Sequence, residues 1–296
     1  FHGDESTVIF TSKDYAYIFL DRDWSRVAYE ANPADPEKAT EQDLRLLNGT
    51  LTRYLMGLTW QVAGFTVNDI NAQWDWGADW NYNQSTGHAP TEALLHTLRL
   101  TSAVLLIVGL IALFAIGWQV GGGWIAYLAS LYYALNPALL LNGRRAMMEG
   151  AFIAFSLLTV LAGIVFLKRP SLWWALLLGV AAGLALASKH TALFTVAAVY
   201  ATCMLYLILQ AIRSREDEAS DAEFVLLPYM VLASTVTGVV FVLLNTAWWS
   251  DPLARILEVL ERRQDLLGGQ TAFFGGYASL TDQIAGFLRQ VFLAQP

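Results

Sequence analysis

The chain has 296 residues, of which 56% are hydrophobic and only 15% are charged, and it contains 11 tryptophans. This composition argues against a soluble globular domain and is typical of an integral membrane protein. The formal net charge of −7 argues against a nucleic-acid partner, because neutralising phosphates requires a basic surface.

Residues 1–96 form a mostly polar region that is rich in Asp, Asn, Trp and Tyr. It has no apolar stretch near the roughly 20 residues that a membrane-spanning helix needs, so we predict a long loop outside the hydrocarbon. Apolar residues at helical spacing between Leu44 and Val62 predict one amphipathic helix on or near the membrane surface. The chain begins at Phe1 without a methionine and carries no terminal signal at Pro296, so we expect sequence to be missing at both ends.

Long apolar runs begin at about residue 97 and predict an all-α, polytopic helical bundle. Six candidate spans cover residues 97–118, 122–142, 149–167, 171–188, 191–212 and 224–246. Very short links separate most of them, including Gly121-Gly122-Gly123 and Lys168-Arg169-Pro170. Residues 97–246 are therefore expected to be the transmembrane region.

The last region, residues 247–296, follows Trp248 and Trp249 at the end of the sixth span. Leucines and isoleucines recur at helical spacing over residues 253–267, while the charged residues among them fall on other faces. The charge density forbids spanning, so this segment is predicted to be an interfacial amphipathic helix. Residues 268–296 receive no assignment.

Six alternating spans bring the first loop, the second and fourth links and the segment after Trp249 to one face of the membrane. Charged and titratable candidates on this face are Asp4, Glu5, Arg144, Arg145, Glu149, Lys189, His190 and Asp251. The other face carries Lys168, Arg169, Arg213 and Arg215, and the positive-inside rule assigns it weakly to the cytoplasm.

The outer face carries the basic residues Arg144, Arg145 and Lys189, although the positive-inside rule predicts few basic residues there. An anionic ligand is one reason for such a placement, and Arg144 or Arg145 with Lys189 has the chemistry to bind a phosphate. The alternative is that these side chains extend to the lipid headgroups without any ligand. Glu149 likewise has a purely structural explanation, because an acid stabilises the N-terminus of a helix.

Other site chemistries receive no support from the sequence. The four histidines His2, His88, His96 and His190 have no metal-ligand spacing, and the single Cys203 excludes an intrachain disulfide. Neither a phosphate-binding glycine loop nor a catalytic serine elbow is visible. We therefore predict no metal and no cofactor.

Several weak motifs occur in a characteristic order. They are His2-Gly3-Asp4-Glu5, Arg99-Leu100, Arg145-Ala146-Met147-Met148-Glu149, Gly183-Leu184-Ala185-Leu186-Ala187-Ser188-Lys189 and Trp248-Trp249-Ser250-Asp251-Pro252. Together they resemble the GT-C fold membrane glycosyltransferases, a family that includes protein O-mannosyltransferases and the bacterial lipid A aminoarabinose transferase. The likeness covers roughly residues 1–252, and a His-Pro-Pro segment of many relatives is absent.

The resemblance implies a multi-pass protein of the bacterial plasma membrane whose active site faces outside. It implies transfer of a sugar from a polyprenyl-phosphate donor to an acceptor hydroxyl, with inversion, in contact with membrane lipids. Asp4 would be the general base and Glu5 its neighbour in catalysis, while Arg144, Arg145 and Lys189 would stabilise the leaving phosphate. Glu149, His190 and Asp251 would contribute to substrate binding. The sugar stays open, as does the acceptor, which is a protein, a lipid or a glycan.

Two other classes of function remain as alternatives. A transporter or flippase would use the ionisable groups as a substrate path, but such proteins place them near the midplane of the bilayer rather than at span ends. A non-catalytic scaffold subunit of a membrane complex would use the first loop as a docking surface. The enzyme interpretation requires Asp4, Glu149, Lys189 and one arginine around a single cavity, whereas a scaffold allows them to be scattered.

Overall fold

The computed structural model describes residues 1–31, 33–214, 223–276 and 279–289, and the regular elements in these ranges are helical. This confirms the predicted all-α fold. The α-helices are α1 Gly3–Thr11, α2 Lys13–Tyr15, α3 Pro36–Leu47, α4 Leu51–Val62, α5 Trp80–Ser85, α6 Glu92–Leu135, α7 Glu149–Lys168, α8 Leu172–Ser188, α9 Leu193–Ser214, α10 Glu223–Leu244, α11 Pro252–Phe274 and α12 Leu280–Leu288. Short π or 3-10 turns lie at Ala16–Leu20, Trp24–Arg26, Val67–Asp69, Leu139–Gly143, His190–Ala192 and Thr246–Trp248.

The apolar helices that the sequence predicts are present. Within the described ranges, four stretches are long and apolar enough to cross a membrane, namely Glu92–Leu135, Glu149–Lys168, His190–Gln210 and Leu227–Leu244, and Leu172–Ser188 is a shorter apolar helix. The chain is therefore an integral membrane protein with several apolar helices. Residues 215–222 of the predicted fifth link lie outside the described residues, and so do residues 290–296.

Helix α6 contains the first two predicted spans, which the chain folds back on each other at a break. Gly122 has φ 73°, a left-handed conformation that glycine adopts without strain, and its neighbour Gly121 is also non-helical. The hydroxyl of Tyr133 donates to the carbonyl of Leu106 at 3.2 Å, so the two halves run side by side. The glycine triplet therefore makes the tight turn that its composition predicts.

The second span ends earlier than predicted, at Leu135 rather than at residue 142. The next residue, Asn136, is extended with ψ 117° because it precedes Pro137, whose ring disfavours a helical conformation there. The short π turn Leu139–Gly143 then leads into the link that carries Arg144 and Arg145.

Contacts at helix ends agree with the alternation of spans. The ammonium of Lys168, at the end of α7, donates to the side-chain oxygen of Gln119 at 3.1 Å, near the break in α6. At the opposite end of the bundle, Lys189 after α8 bonds Glu149 at the start of α7. The second and fourth links therefore lie at the same end of the bundle, and the membrane face to which this end belongs stays a prediction.

Helix α8 packs closely on α10 through small residues. A methyl group added to Gly179 would lie 2.6 Å from the carbonyl oxygen of Ala233, and one added to Gly183 would lie 2.6 Å from Val240. Glycines four residues apart let helix backbones approach each other in a membrane, where packing replaces the hydrophobic effect. This close packing fixes the end of α8, where Lys189 lies.

The single amphipathic helix predicted over 44–62 is wrong. The chain forms α3 and α4, which are separated at Asn48, Gly49 and Thr50. Thr50 is buried and donates its hydroxyl to the carbonyl of Leu244 at 2.7 Å, and Gly49 lies directly against Ser188. Tertiary contacts with the ends of α8 and α10 therefore break the helical pattern.

A buried ion cluster holds the first loop together. Asp14 on α2 accepts hydrogen bonds from Arg45 on α3, at 2.8–3.0 Å, and from Arg53 on α4, at 3.2 Å. All three side chains are at most 4% exposed. A buried carboxylate with two cations and well-formed hydrogen bonds fixes the relative placement of the three helices.

Helix α11 includes the predicted amphipathic segment and continues to Phe274. Its polar face contacts the first loop: Arg262 pairs with Asp43 on α3, and Tyr29 donates to Glu258 at 3.0 Å. Val259 is buried against Leu46, Ala247 and Trp248, whereas the leucines of the other face are exposed, with Leu253 77% and Leu257 71% exposed. The placement of this helix in the membrane interface stays a prediction.

Gly49→Ala is expected to lower the free energy of unfolding by about 1–3 kcal/mol, because an added methyl group overpacks a rigid contact. That methyl group would lie 2.3 Å from the carbonyl oxygen of Ser188 and 2.4 Å from that of Ala187. Thermal unfolding in detergent measures the change. Gly238→Ala in α10 is the matched control, because its methyl group meets nothing within 4 Å and alanine favours a helix. Equal melting temperatures for the two variants would refute the contact.

Candidate active site

Asp4 lies in the first turn of α1, where the helix cap two residues earlier fixes its backbone. His2 caps the helix, and its Nδ1 accepts a hydrogen bond from the backbone N–H of Asp4 at 3.2 Å. The carboxylate remains 49% exposed, with Oδ2 3.3 Å from His2 Nδ1. Asp4 is therefore both held in place and accessible to a ligand.

The charges around Asp4 come from distant parts of the chain. Burial raises the pKa of Asp4, His2 opposes the rise, Glu149 adds to it, and Lys189 and Arg145 also oppose it. The net pKa lies above the ordinary value of 3.8. Contacts support this arrangement, because the adjacent Glu5 accepts a hydrogen bond from the backbone N–H of Ala146 on the second link, and Lys189 after α8 pairs with Glu149 at the start of α7.

Glu5 has a different environment from its neighbour, because its side chain is fully buried. Arg99 on α6 donates to both oxygens at 2.8 and 2.7 Å, and the backbone N–H groups of Ala146 and His2 donate at 2.9 and 3.1 Å. Burial acts to raise the pKa of Glu5, but these hydrogen bonds and the charge of Arg99 outweigh it and lower the pKa. The carboxylate therefore stays ionised and joins α1, α6 and the second link.

Glu149 and Lys189 form an ion pair at 2.8 Å across the ends of α7 and α8. Both side chains are partly exposed, at 24% and 30%. The other oxygen of Glu149 is buried and has no hydrogen-bond partner among the described residues. This pair presents an ammonium and an unused carboxylate oxygen at the end of the bundle where the second link bonds Glu5.

The remaining predicted residues differ in how closely they approach this cluster. The charge of Arg145 acts to lower the pKa of Asp4, and its guanidinium donates to the side-chain oxygen of Asn142 at 3.4 Å. Arg144 is exposed. The ring of His190 packs edge to face against Phe241 and Trp248, both at 5.9 Å, and its nitrogens have no partner among the described residues.

Asp251 has a contact of its own. Its carboxylate accepts from the N–H of Ala254 at 3.1 Å and caps α11. The structure therefore brings Asp4, Arg145, Glu149 and Lys189 together and gives Asp251 a structural contact. Their roles as site residues stay predictions.

Arg99 is the residue whose importance the sequence did not reveal. It appears there as part of a weak motif within an apolar span, without an assigned role. An arginine in an apolar helix is a functional signal in itself, because its burial has to be compensated by a partner. The partner, Glu5, lies 94 residues away in the chain and is identified by the fold alone.

Comparisons with known proteins give one family. Residues 39–245, more than two thirds of the chain, match the model of the family described as dolichyl-phosphate-mannose-protein mannosyltransferase. The matched range contains Arg145, Glu149 and Lys189 and begins after Asp4 and Glu5. No curated protein and no solved structure matches the chain.

Proposed function

Because the chain belongs to the dolichyl-phosphate-mannose-protein mannosyltransferase family, we propose that it transfers mannose, with inversion, from a polyprenyl phosphate to a protein hydroxyl at the outer membrane face. The observation that carries this proposal is the arrangement at one end of the bundle, where Glu5, next to Asp4, bonds the link that carries Arg145, and Lys189 pairs with Glu149. An exposed base, a phosphate-binding cation and a sugar-binding carboxylate are the groups that this reaction requires.

Asp4 is the general base in this scheme. The acceptor oxygen attacks the anomeric carbon of the donor from the side opposite the phosphate, and a C–O bond forms as the bond to the phosphate oxygen breaks. The hydroxyl proton passes to the carboxylate of Asp4, and the polyprenyl phosphate leaves with the bonding electrons. The raised pKa makes the carboxylate of Asp4 a stronger base, which suits this step. The hydroxyl proton becomes more acidic as the new C–O bond forms, so the transfer to Asp4 becomes favourable in the transition state.

The cations stabilise the charge that develops on the leaving phosphate. Lys189 and Arg145 lie on the links at the ends of α7 and α8, where a lipid-linked phosphate reaches the membrane boundary. Electrostatic stabilisation is strong there because little water competes for the phosphate oxygens. The unpartnered oxygen of Glu149 accepts a hydrogen bond from a sugar hydroxyl and orients the donor.

Glu5 is a positioning residue in this mechanism rather than a second base. Its carboxylate accepts four hydrogen bonds, which leaves little capacity for a reacting proton. Through Ala146 it fixes the link that carries Arg145, and through its own helix it fixes the adjacent Asp4. In this mechanism Asp4 therefore takes the proton, whereas Glu5 holds the surrounding groups in position.

A transfer assay tests the proposed function. The purified full-length protein is supplied with radiolabelled polyprenyl-phosphate mannose and, in separate reactions, a serine- or threonine-containing peptide, a lipid acceptor and a glycan acceptor. We expect label on the peptide, with the anomeric configuration inverted relative to the donor. Label on the lipid or glycan alone would reject the protein acceptor, and retention of configuration would reject single displacement by Asp4.

Lys189→Met is expected to lower kcat/KM for the donor about 10–100-fold, because a charge-assisted hydrogen bond to phosphate is lost. The same assay at varied donor concentration measures this. Lys38→Met is the matched control, because Lys38 also forms an ion pair with a carboxylate, but with Glu30 on the first loop. Equal kinetics for the two variants would contradict a role for Lys189 in donor binding.

A further inference from the structure

A group of tryptophans lies beside Asp4 and is called here the aromatic platform: Trp74, Trp76 and Trp80. Trp74 is buried, and its ring centroid lies 6.4 Å from that of Trp76 and 5.4 Å from that of Trp80. The two outer rings are open, with Trp76 62% exposed and Trp80 46% exposed. Large rings held by a buried neighbour and exposed outward are suited to bind a ligand.

The platform is rigid because a buried amide organises its backbone. Asn83 is fully buried, and its side chain donates to the carbonyls of Asp75 and Asp79 at 2.9 and 3.0 Å and accepts from the N–H of Asp75 at 2.8 Å. The two exposed rings follow these aspartates directly in the chain. A ligand therefore meets rings whose positions are fixed before it binds.

The platform adjoins the candidate base. A methyl group added to Gly3 would lie 2.9 Å from Nε1 of Trp74 and 3.0 Å from Cη2 of Trp76, so both rings touch the residue that precedes Asp4. Asn71 fixes this arrangement further, because its side chain donates to the hydroxyl of Ser6 on α1 at 2.7 Å. A chain lying across the rings would pass within reach of Asp4.

The charge of this part of the first loop selects the ligand. Residues 54–98 contain no lysine or arginine, while Asp69, Asp75, Asp79 and Glu92 supply four negative charges. An acidic surface attracts cations, and indole faces bind ammonium and guanidinium groups through the ring quadrupole. The same charge opposes contact with anionic lipid headgroups, which argues against a membrane anchor.

We propose that the aromatic platform binds a basic polypeptide segment and presents a neighbouring serine or threonine to Asp4. This rests on the proposed function, for which it identifies the acceptor as a protein segment with lysine or arginine beside the hydroxyl residue. A cation–π contact contributes about 0.5–2 kcal/mol. Two contacts near the middle of that range favour a basic peptide by roughly tenfold to hundredfold over a peptide that makes neither contact.

Binding is measured without catalysis, on the full-length protein carrying Asp4→Asn in detergent. The probes are two fluorescent peptides with one serine each, identical except that lysines flank the serine in one and glutamates in the other. Fluorescence anisotropy gives both affinities. The test variant adds Trp76→Ala and Trp80→Ala, and the matched control adds Trp173→Ala, a tryptophan at the start of α8 that is 72% exposed.

We expect the lysine peptide to bind at least tenfold more tightly than the glutamate peptide, to lose this advantage in the double tryptophan variant, and to keep it in the Trp173 control. Equal affinities for the two peptides would overturn the proposal. So would an unchanged affinity of the lysine peptide for the double tryptophan variant. Preferential binding without any mannose transfer by the native protein would instead reject the proposed function and leave the platform intact.

Discussion

Asp4→Asn is expected to lower kcat for mannose transfer by about 10²–10⁴-fold, the usual contribution of a positioned general base. An amide cannot accept the proton of the acceptor hydroxyl, but it has nearly the shape of the carboxylate. The cap on α1 uses the backbone N–H of Asp4 and is retained. Donor binding and folding should therefore change little, and single-turnover transfer of radiolabelled mannose measures the chemical step.

The control for this variant is Asp21→Asn, an exposed acid at the end of a turn in the same loop. It should transfer at the native rate. The pH profile gives a second readout, because a base acts only when ionised and the pKa of Asp4 lies above the ordinary 3.8. Native kcat/KM should fall as the pH drops through that raised pKa. Undiminished transfer by Asp4→Asn would reject Asp4 as the base.

Arg99→Ala is expected to lower the free energy of unfolding by about 3–5 kcal/mol, because it leaves the buried carboxylate of Glu5 without a counter-charge. Glu5 is fully buried and receives two of its hydrogen bonds from this guanidinium. Thermal or denaturant unfolding in detergent measures the loss. Arg169→Ala is the matched control, because Arg169 is exposed at the end of α7 and should change stability little.

The pH dependence of this effect distinguishes a lost charge pair from lost packing. In the native chain the lowered pKa of Glu5 contributes stability above the ordinary glutamate pKa, and this is lost as the pH falls through the folded pKa. Without Arg99, we expect burial to raise the pKa of Glu5, and protonation of Glu5 then removes the unpaired buried charge. The deficit of Arg99→Ala should therefore shrink as the pH falls. A deficit independent of pH would indicate packing alone.

The order of the hydrophobic runs determines much of this protein. A backbone in lipid has to satisfy its own hydrogen bonds, so uninterrupted apolar segments become helices, and glycine and proline set their ends. The break at Gly121-Gly122-Gly123 and the apolar helices on either side were predictable for this reason. Alternation of the helices across the bilayer also predicted that Glu149 and Lys189 share a face.

Tertiary structure alone decided the details of the first loop and the division of the acidic pair. The apolar spacing over 44–62 permits one helix, but Thr50 and Gly49 gain more from contacts with the ends of α10 and α8 than a continuous helix would provide. Asp4 and Glu5 are adjacent and alike in sequence, yet one is half exposed and the other is bound by Arg99 from 94 residues away. Local sequence specifies which groups can ionise, whereas burial and the charges of distant partners determine what each group does, and these arise when the helices pack.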